Sequence, residues 1–426
     1  MIVIYTPQVT NRIKFVLDFI FNQYFGIEIN LIENPVVATS SNFLHINYSN
    51  ISQEGFYQIF QHRLLLEENI QPQKITISHV SDLPVFFQTT ENCEVPFDIF
   101  SCIFYLISRY EEYLPHQKDA HGRYLSSNSI LAHPDFNFAP IVEYWLNYLK
   151  EQLLLRQPNL IFKNQHFQYI PTFDIDNAFQ YLERNWIKRP PNVFKPEVLK
   201  SLMHIQKDAY DIFEKLLNEI NQHKFPSIFF FLLNDSIKQN SNVNPTSDEL
   251  KNLIQKIAAL HETGIHPSYY SLEENTIQSE IKLLKSITKT AVSKSRQHFI
   301  KISFPTYFNA LLSAGIQIDF SLCYPERSGF RAGCSQPFYF FDVEKNETTT
   351  LLLQPSCFMD ATFEYYQTPE SQNLHQNFFI IYNQLTEISG NLVPIFHNDL
   401  LAKEKYWSFY TFINKTIQQA NEFKRK

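Results

Sequence analysis

The sequence predicts an α/β protein whose larger, C-terminal part is a (β/α) barrel of about seven strands over residues 165–426. A small α/β domain over residues 1–92 and a helical connector over 93–164 precede it. Three observations carry this prediction. From Tyr169 onward, strand-like runs alternate with helical patterns every 25–40 residues, the rhythm of parallel β/α units. About seven such units in some 250 residues suit a barrel better than a thin open sheet. The polar residues Asp174, Asp176, Asp235, His266, His298, Asp319 and His397 fall where those strands end, which is where chemistry collects in such folds.

In chain order, Ile2–Tyr5 is expected as a strand and Arg12–Tyr24 as a helix, with Ile13, Val16, Leu17, Ile20 and Phe21 on one face. Ile27–Leu31, Phe43–Tyr48 and Ile75–Ser78 are expected as strands. Residues 96–114 are strongly helical and end in Ser108-Arg109-Tyr110-Glu111-Glu112-Tyr113. Arg109 and Glu112 there are placed for local ion pairing. A polar loop with Asp119, His121 and Arg123 follows, then a helix over Pro140–Leu154. This stretch serves as a connector, or else reaches over the mouth of the next domain and supplies a substrate contact.

Tyr169–Asp176 is the first strand of the larger part, followed by a helical region over Val198–His223. Ser227–Asn234 is a continuous apolar run, as in a strand buried on both faces. Helices are expected over Asp248–Leu260, Glu274–Thr288, Thr306–Leu312, Glu370–Ile388 and Tyr406–Glu422. Strands are expected at 264–266, His298–Ile302, Ile316–Leu322 and Asn391–Phe396, with residues 338–353 less regular.

Composition excludes several classes. The chain of 426 residues has only 8 glycines and neither phosphate-cradling glycine motif. A net charge of −7 leaves no electrostatic footprint for nucleic acid. Charges interrupt every long apolar stretch, so no membrane span is expected. The apolar start at Met1 is too short for a secretory signal. Five scattered cysteines without a C-x-x-C pair read as reduced, mostly buried thiols, and the expected location is cytoplasmic.

The chemistry starts at Thr172-Phe173-Asp174-Ile175-Asp176. Carboxylates at i and i+2 of a strand share a face, and two like charges there call for a cation, a metal or a shared proton. Capping of the next element by Asp176 or Asn177 is the simpler alternative. His266, in Gly264-Ile265-His266-Pro267-Ser268, ends a short strand stopped by proline; imidazole with carboxylate suits zinc or a similar divalent ion. Arg331, between glycines in Gly329-Phe330-Arg331-Ala332-Gly333, or Arg296 in Arg296-Gln297-His298, would hold Asp174 in place. His397 ends the last strand and can act as a general acid toward a leaving amine.

These segments occur in the order and rough spacing of the polysaccharide deacetylase family (carbohydrate esterase family 4-like), which the sequence resembles over about residues 165–425. The whole chain is similar to a bacterial branch of that family with an extra N-terminal domain. The resemblance implies a distorted (β/α) barrel, a glycan or aminosugar substrate and a metal-dependent deacetylation. By motif, Asp174 resembles the catalytic base, Asp176 and His266 the metal ligands, and His397 the catalytic acid. The family's second metal histidine has no counterpart, because Tyr270 and Ser271 stand there. Either His298 replaces it, or the metal binds weakly, or the site has lost metal chemistry. That departure keeps open a second reading, a non-catalytic carbohydrate-binding or assembly protein.

Overall fold

The computed structural model describes residues 1–34, 43–89, 93–182, 196–203, 205–234, 243–366 and 372–424. Asp235 and the first residues of the helix expected from Glu370 lie outside the described residues.

The chain opens with four parallel strands, β1 (Ile2–Tyr5), β2 (Ile29–Ile32), β3 (Leu44–Tyr48) and β4 (Tyr57–Ile59), in the order β2-β1-β3-β4. Helix α1 (Asn11–Leu17) is capped by Thr10, whose side chain accepts the Ile13 N–H, and continues as a π-helical stretch to Phe25. The strand expected over Ile75–Ser78 is displaced into a small hairpin, β5 (Ser78–Val80) and β6 (Leu83–Val85). Helix α2 (Ile99–Ile107) is buried at every position, so it belongs to the core. Helix α3 (Ile141–Arg156) follows. One apolar cluster runs without a break from Ile2 to Ile417 and joins all these elements to the larger sheet.

Pro171 splits the expected first strand. Residues before it form β7 (Gln168–Tyr169) and those after it β8 (Thr172–Ile175), since proline cannot donate to a ladder. The remaining strands are β9 (Ile228–Phe231), β10 (Glu262–Ile265), β11 (Lys294–Ser295), β12 (Ile318–Asp319), β13 (Phe338–Asp342), β14 (Glu347–Leu353), β15 (Phe358–Met359), β16 (Asn391–Leu392) and β17 (Pro394–His397). Eight of these, all but β16, join β8 in one sheet of nine strands in the order β13-β14-β12-β11-β10-β9-β8-β17-β15, parallel except for the β13–β14 hairpin. The stretch expected to be irregular, 338–353, is that hairpin. Strand pairing is linear and ends at β13 and β15, so the ladder itself does not close into the expected ring.

The helical region expected over Val198–His223 is two helices, α4 (Pro196–Leu202) and α5 (Phe213–His223). Then come α6 (Asp248–Ala258), α7 (Ile277–Thr288), α8 (Thr306–Ser313), α9 (Asp360–Tyr365), α10 (Leu374–Ile388), α11 (Asn398–Leu401) and α12 (Glu404–Lys424). Their apolar stripes cover the sheet; in α6 these are Leu250, Ile254 and Ile257. Gly264 lets β10 lie close to its neighbours: a Cβ there would stand 2.6 Å from the Phe230 ring and 2.8 Å from the Lys294 carbonyl.

Candidate metal centre with a flanking acid and base

Parallel register brings the carboxyl ends of five strands to one rim. Asp174 on β8 lies opposite His397 on β17 and Phe230 on β9, while Ile265 on β10 pairs with Phe231 and with Ser295 on β11. The residues just past these pairs are Asp176, His266, Arg296 and His298. Asp176, His266 and His298 line a cleft of about 420 Å³ together with Asp174, His397 and Asp399, and Arg296 lies buried behind it.

Asp176, His266 and His298 each offer a ligand atom, all within 4.8 Å of one another. His266 Nε2 is 3.1 Å from Asp176 Oδ1, and His298 Nε2 is 3.4 Å from Asp176 Oδ2. The His266 ring is fixed from behind, because Nδ1 donates to the Arg296 carbonyl at 2.5 Å, leaving Nε2 turned into the cleft. His298 is not on a strand as expected. It opens a tight turn, His298–Ile300, in which Phe299 has φ 61° and Ile300 φ 52°. That turn, made after only two residues of β11, folds the His298 ring back toward Asp176.

The donor set fits a divalent metal. One carboxylate and two imidazoles, with room for a further ligand, match a catalytic zinc site. The buried His298 Nδ1 also has no hydrogen-bond partner among the described residues, an expensive arrangement for a site with no function. Burial alone would raise the Asp176 carboxyl, but the imidazoles of His298 and His266 hold it well below the ordinary carboxylate range. Burial opposes charge on His266, yet Asp174 and Asp176 bring its affinity for a proton above the ordinary value. The three groups are therefore an acceptor of positive charge.

Arg296, wholly buried, donates from Nη1 to Asp174 Oδ1 at 2.8 Å and from Nε to the Phe320 carbonyl at 3.2 Å, and it lies over the Phe230 ring. Asp174 Oδ2 is left facing His266 Nε2 at 3.8 Å. Of the two arginines the sequence offered for Asp174, the structure selects Arg296. Arg331 is drawn elsewhere: its Nε and Nη2 donate to both oxygens of Glu112, and Nη1 donates to the Cys323 carbonyl at 3.1 Å. Arg109 joins this network, donating from Nε to Glu112 at 2.9 Å and from Nη1 to the Arg331 carbonyl. The predicted catalytic place of Arg331 is thus corrected to a buried lock between the segment after α2 and the sheet.

On the far side of Asp174, His397 Nδ1 donates to Asp360 Oδ1 at 2.6 Å and its backbone N–H donates to Asp360 Oδ2 at 2.8 Å. Burial opposes a charge on this ring, but Asp360 outweighs it and pushes His397 up to about 10.

The comparisons with known proteins add the following. Residues 2–158 match the profile of a family of unknown function (DUF7033). No curated protein matches the chain. Among solved structures it is similar to a Mycobacterium smegmatis protein assigned as a polysaccharide deacetylase, at 16% identity and TM-score 0.41, covering 61% of this chain and 86% of that one. It is similar to the allantoinase PuuE at 14% identity and TM-score 0.40, covering 60% and 84%. A polysaccharide deacetylase from Bacillus cereus matches at 12% identity and TM-score 0.32, covering 60% and 89%.

Sequence reasoning did not single out Asp360, Asp399 or the Tyr365-Tyr366 pair as cleft residues. Asp360 follows the two-residue strand β15, so a strand-end rule would have reached it had that strand been foreseen. Asp319, though also at a strand end, is not in the cleft. It is buried and accepts hydrogen bonds from Ser295, Tyr307 and Ser321, which makes it a scaffold for the turn that carries His298. Among the described residues, no helix is long and apolar enough to cross a membrane.

Proposed function

We propose that this protein is a metal-dependent hydrolase that removes acetyl groups from a glycan or aminosugar. The observation that carries the reading is a base candidate, Asp174, and an acid candidate, His397, lining the same cleft as a three-donor metal site. The ordered motifs that resemble polysaccharide deacetylases support it independently. Backbone bonds from Gln354 to Asp319, Ser356 to Leu322 and Cys357 to Val393 step from the β12 side to the β17 side, and we read the curved sheet as the distorted barrel of that resemblance.

Asp176, His266 and His298 would hold the ion, with zinc the best match to this donor set. Once bound, the ion would polarise the acetyl carbonyl and acidify a water molecule. Asp174, oriented by Arg296, accepts the proton of the attacking water. His397, kept protonated by Asp360, gives its proton to the departing amine. Phe299, Ile300, Pro325 and Met359 give the cleft an apolar lining beside these groups. The non-catalytic alternative rested on the missing second motif histidine, and the distance of 3.4 Å from His298 Nε2 to Asp176 Oδ2 supports the catalytic reading instead.

The test is acetate release from acetylated aminosugar oligomers by protein loaded with Zn²⁺, compared with metal-stripped protein. Activity that depends on the metal and disappears in Asp176→Ala supports the reading. Absence of both bound metal and turnover refutes it.

A further inference from the structure

The wall of the cleft is built from both halves of the chain. His121 and Arg123 line it beside the metal and acid residues, although they lie in the segment that matches a family of its own. Their loop is folded on Asp119, whose carboxylate accepts the N–H groups of His121 at 2.8 Å and Arg123 at 2.9 Å and the Arg123 Nε at 2.7 Å. This aims the two terminal nitrogens of Arg123 forward. Nη1 donates to the Phe299 carbonyl at 2.7 Å, and Nη2 donates to the Tyr366 hydroxyl at 3.0 Å. Phe299 directly follows the ligand His298. Tyr366 directly follows α9, the helix that begins with Asp360. One guanidinium therefore clips the metal side of the cleft to the acid side.

The clip is buried, since Arg123 is 3% exposed, so its charge-assisted bonds are not the weak contacts of a solvated surface. Two more contacts brace the loop. His121 Nδ1 lies 3.0 Å from the Tyr269 hydroxyl, and the Ser126 N–H donates to Glu326 at 2.9 Å. The loop is thus tied to elements following β10, β11 and β12 as well as to the end of α9.

A polymer bound by its interior needs a groove open at both ends. Here a braced loop with a buried arginine forms part of the cleft wall. The cleft volume of about 420 Å³ falls in the range of about 300–1,000 Å³ usual for small-molecule pockets. We propose that residues 114–125 close one end of the cleft, so that the site accepts a chain terminus or a small acetylated molecule rather than the interior of a polysaccharide. Arg123 is the specificity-determining residue. This inference rests on the hydrolase reading above for the chemical class of its substrate, but not for the closure itself.

Two measurements test it separately. In the first, the zinc-loaded protein is given an N-acetylated hexosamine dimer and a soluble polymer of the same unit, and kcat/KM is compared per acetyl group. The parent is expected to favour the dimer by about tenfold or more, and Arg123→Ala to lose most of that preference by gaining on the polymer. Equal or better turnover of the polymer by the parent, or a ratio unchanged in Arg123→Ala, overturns the inference. In the second, His298 of metal-free protein is carbethoxylated with diethyl pyrocarbonate and followed by mass spectrometry. Modification should be slow in the parent and severalfold faster in Arg123→Ala; identical rates overturn the closure. If Arg123→Ala does not fold, Tyr366→Phe removes one acceptor of the clip with little change in packing and is read in the same two ways. Faster modification with no acetate released from either substrate would sink the hydrolase reading and leave the closed end standing.

Discussion

Replacing Asp360 by Asn isolates the feature that raises the proton affinity of His397. Asn keeps an oxygen that can accept the Nδ1–H, so the ring should stay in place, but the negative charge is gone. In the parent the buried ring is held at about 10 because Asp360 outweighs desolvation. An ordinary imidazole titrates near about 6.5. At about pH 7.5 the parent ring is almost wholly protonated, whereas at the ordinary value only about one ring in ten would be. A step that needs the His397 proton should therefore slow by about tenfold at that pH, with the loss growing as pH rises. The sign for stability follows from the same shift. The folded value lies above the unfolded one, so the contribution of this pair is complete below about pH 6.5 and is lost as pH rises through about 10. Ring ¹⁵N chemical shifts of metal-free protein give the titration directly, and a pH profile of acetate release gives its consequence. If His397 of the parent titrates near the ordinary value, or if Asp360→Asn titrates with the parent, the reasoning is wrong.

Other expected outcomes concern different links of the argument. His298→Ala should weaken zinc binding by more than the roughly 10–100-fold that losing a hydrogen-bond partner of a ligand costs, measured by competition with a chelator; unchanged affinity removes His298 from the site. Asp174→Asn and His397→Ala should each lower kcat by about 10²–10⁴ while substrate still binds, and wild-type turnover in both would reject the assigned roles. Glu112→Ala should cost about 3–5 kcal/mol in denaturant unfolding, because it strands the buried guanidinium of Arg331 and deprives Arg109 of a partner. Gly264→Ala should destabilise by about 1–3 kcal/mol through overpacking against Phe230 and the β11 backbone, with a loss of metal affinity because His266 is two residues away.

Much of the fold is written locally. Alternating apolar runs and helical stripes place most of the strands and helices within a few residues of their observed ends, and Ile228–Phe231 announces its double burial by being apolar throughout. The failures have physical causes. Strands of two residues, such as β11, β12 and β15, are too short to show a period, so their positions depend on which neighbours they pair with. His298 was expected on a strand because Phe-Ile-Lys-Ile alternates, but the chain instead turns with two residues at positive φ. The hairpin over 338–353 was hidden because its outer positions are polar and its bulge breaks the alternation.

The sequence by itself determined the chemistry at hand: an acid pair at one strand end, histidines at others, no phosphate loop and no long apolar span. It also indicated that the Asp174 and Asp176 pair calls for a cation, a metal or a shared proton, since two like charges at the end of an apolar strand are costly. Only the tertiary structure decided which arginine stands beside Asp174. Arg296 and Arg331 are alike in sequence, and the difference is that parallel register carries Arg296 to the rim beside β8, whereas Glu112, from a segment 219 residues away in sequence, captures Arg331. The same holds for His397 and Asp360, separated by 37 residues and joined because β15 lies beside β17. Local propensity acts over one element, so it can name the groups of a site, but their pairing depends on strand order and on which buried charges find each other when the sheet assembles.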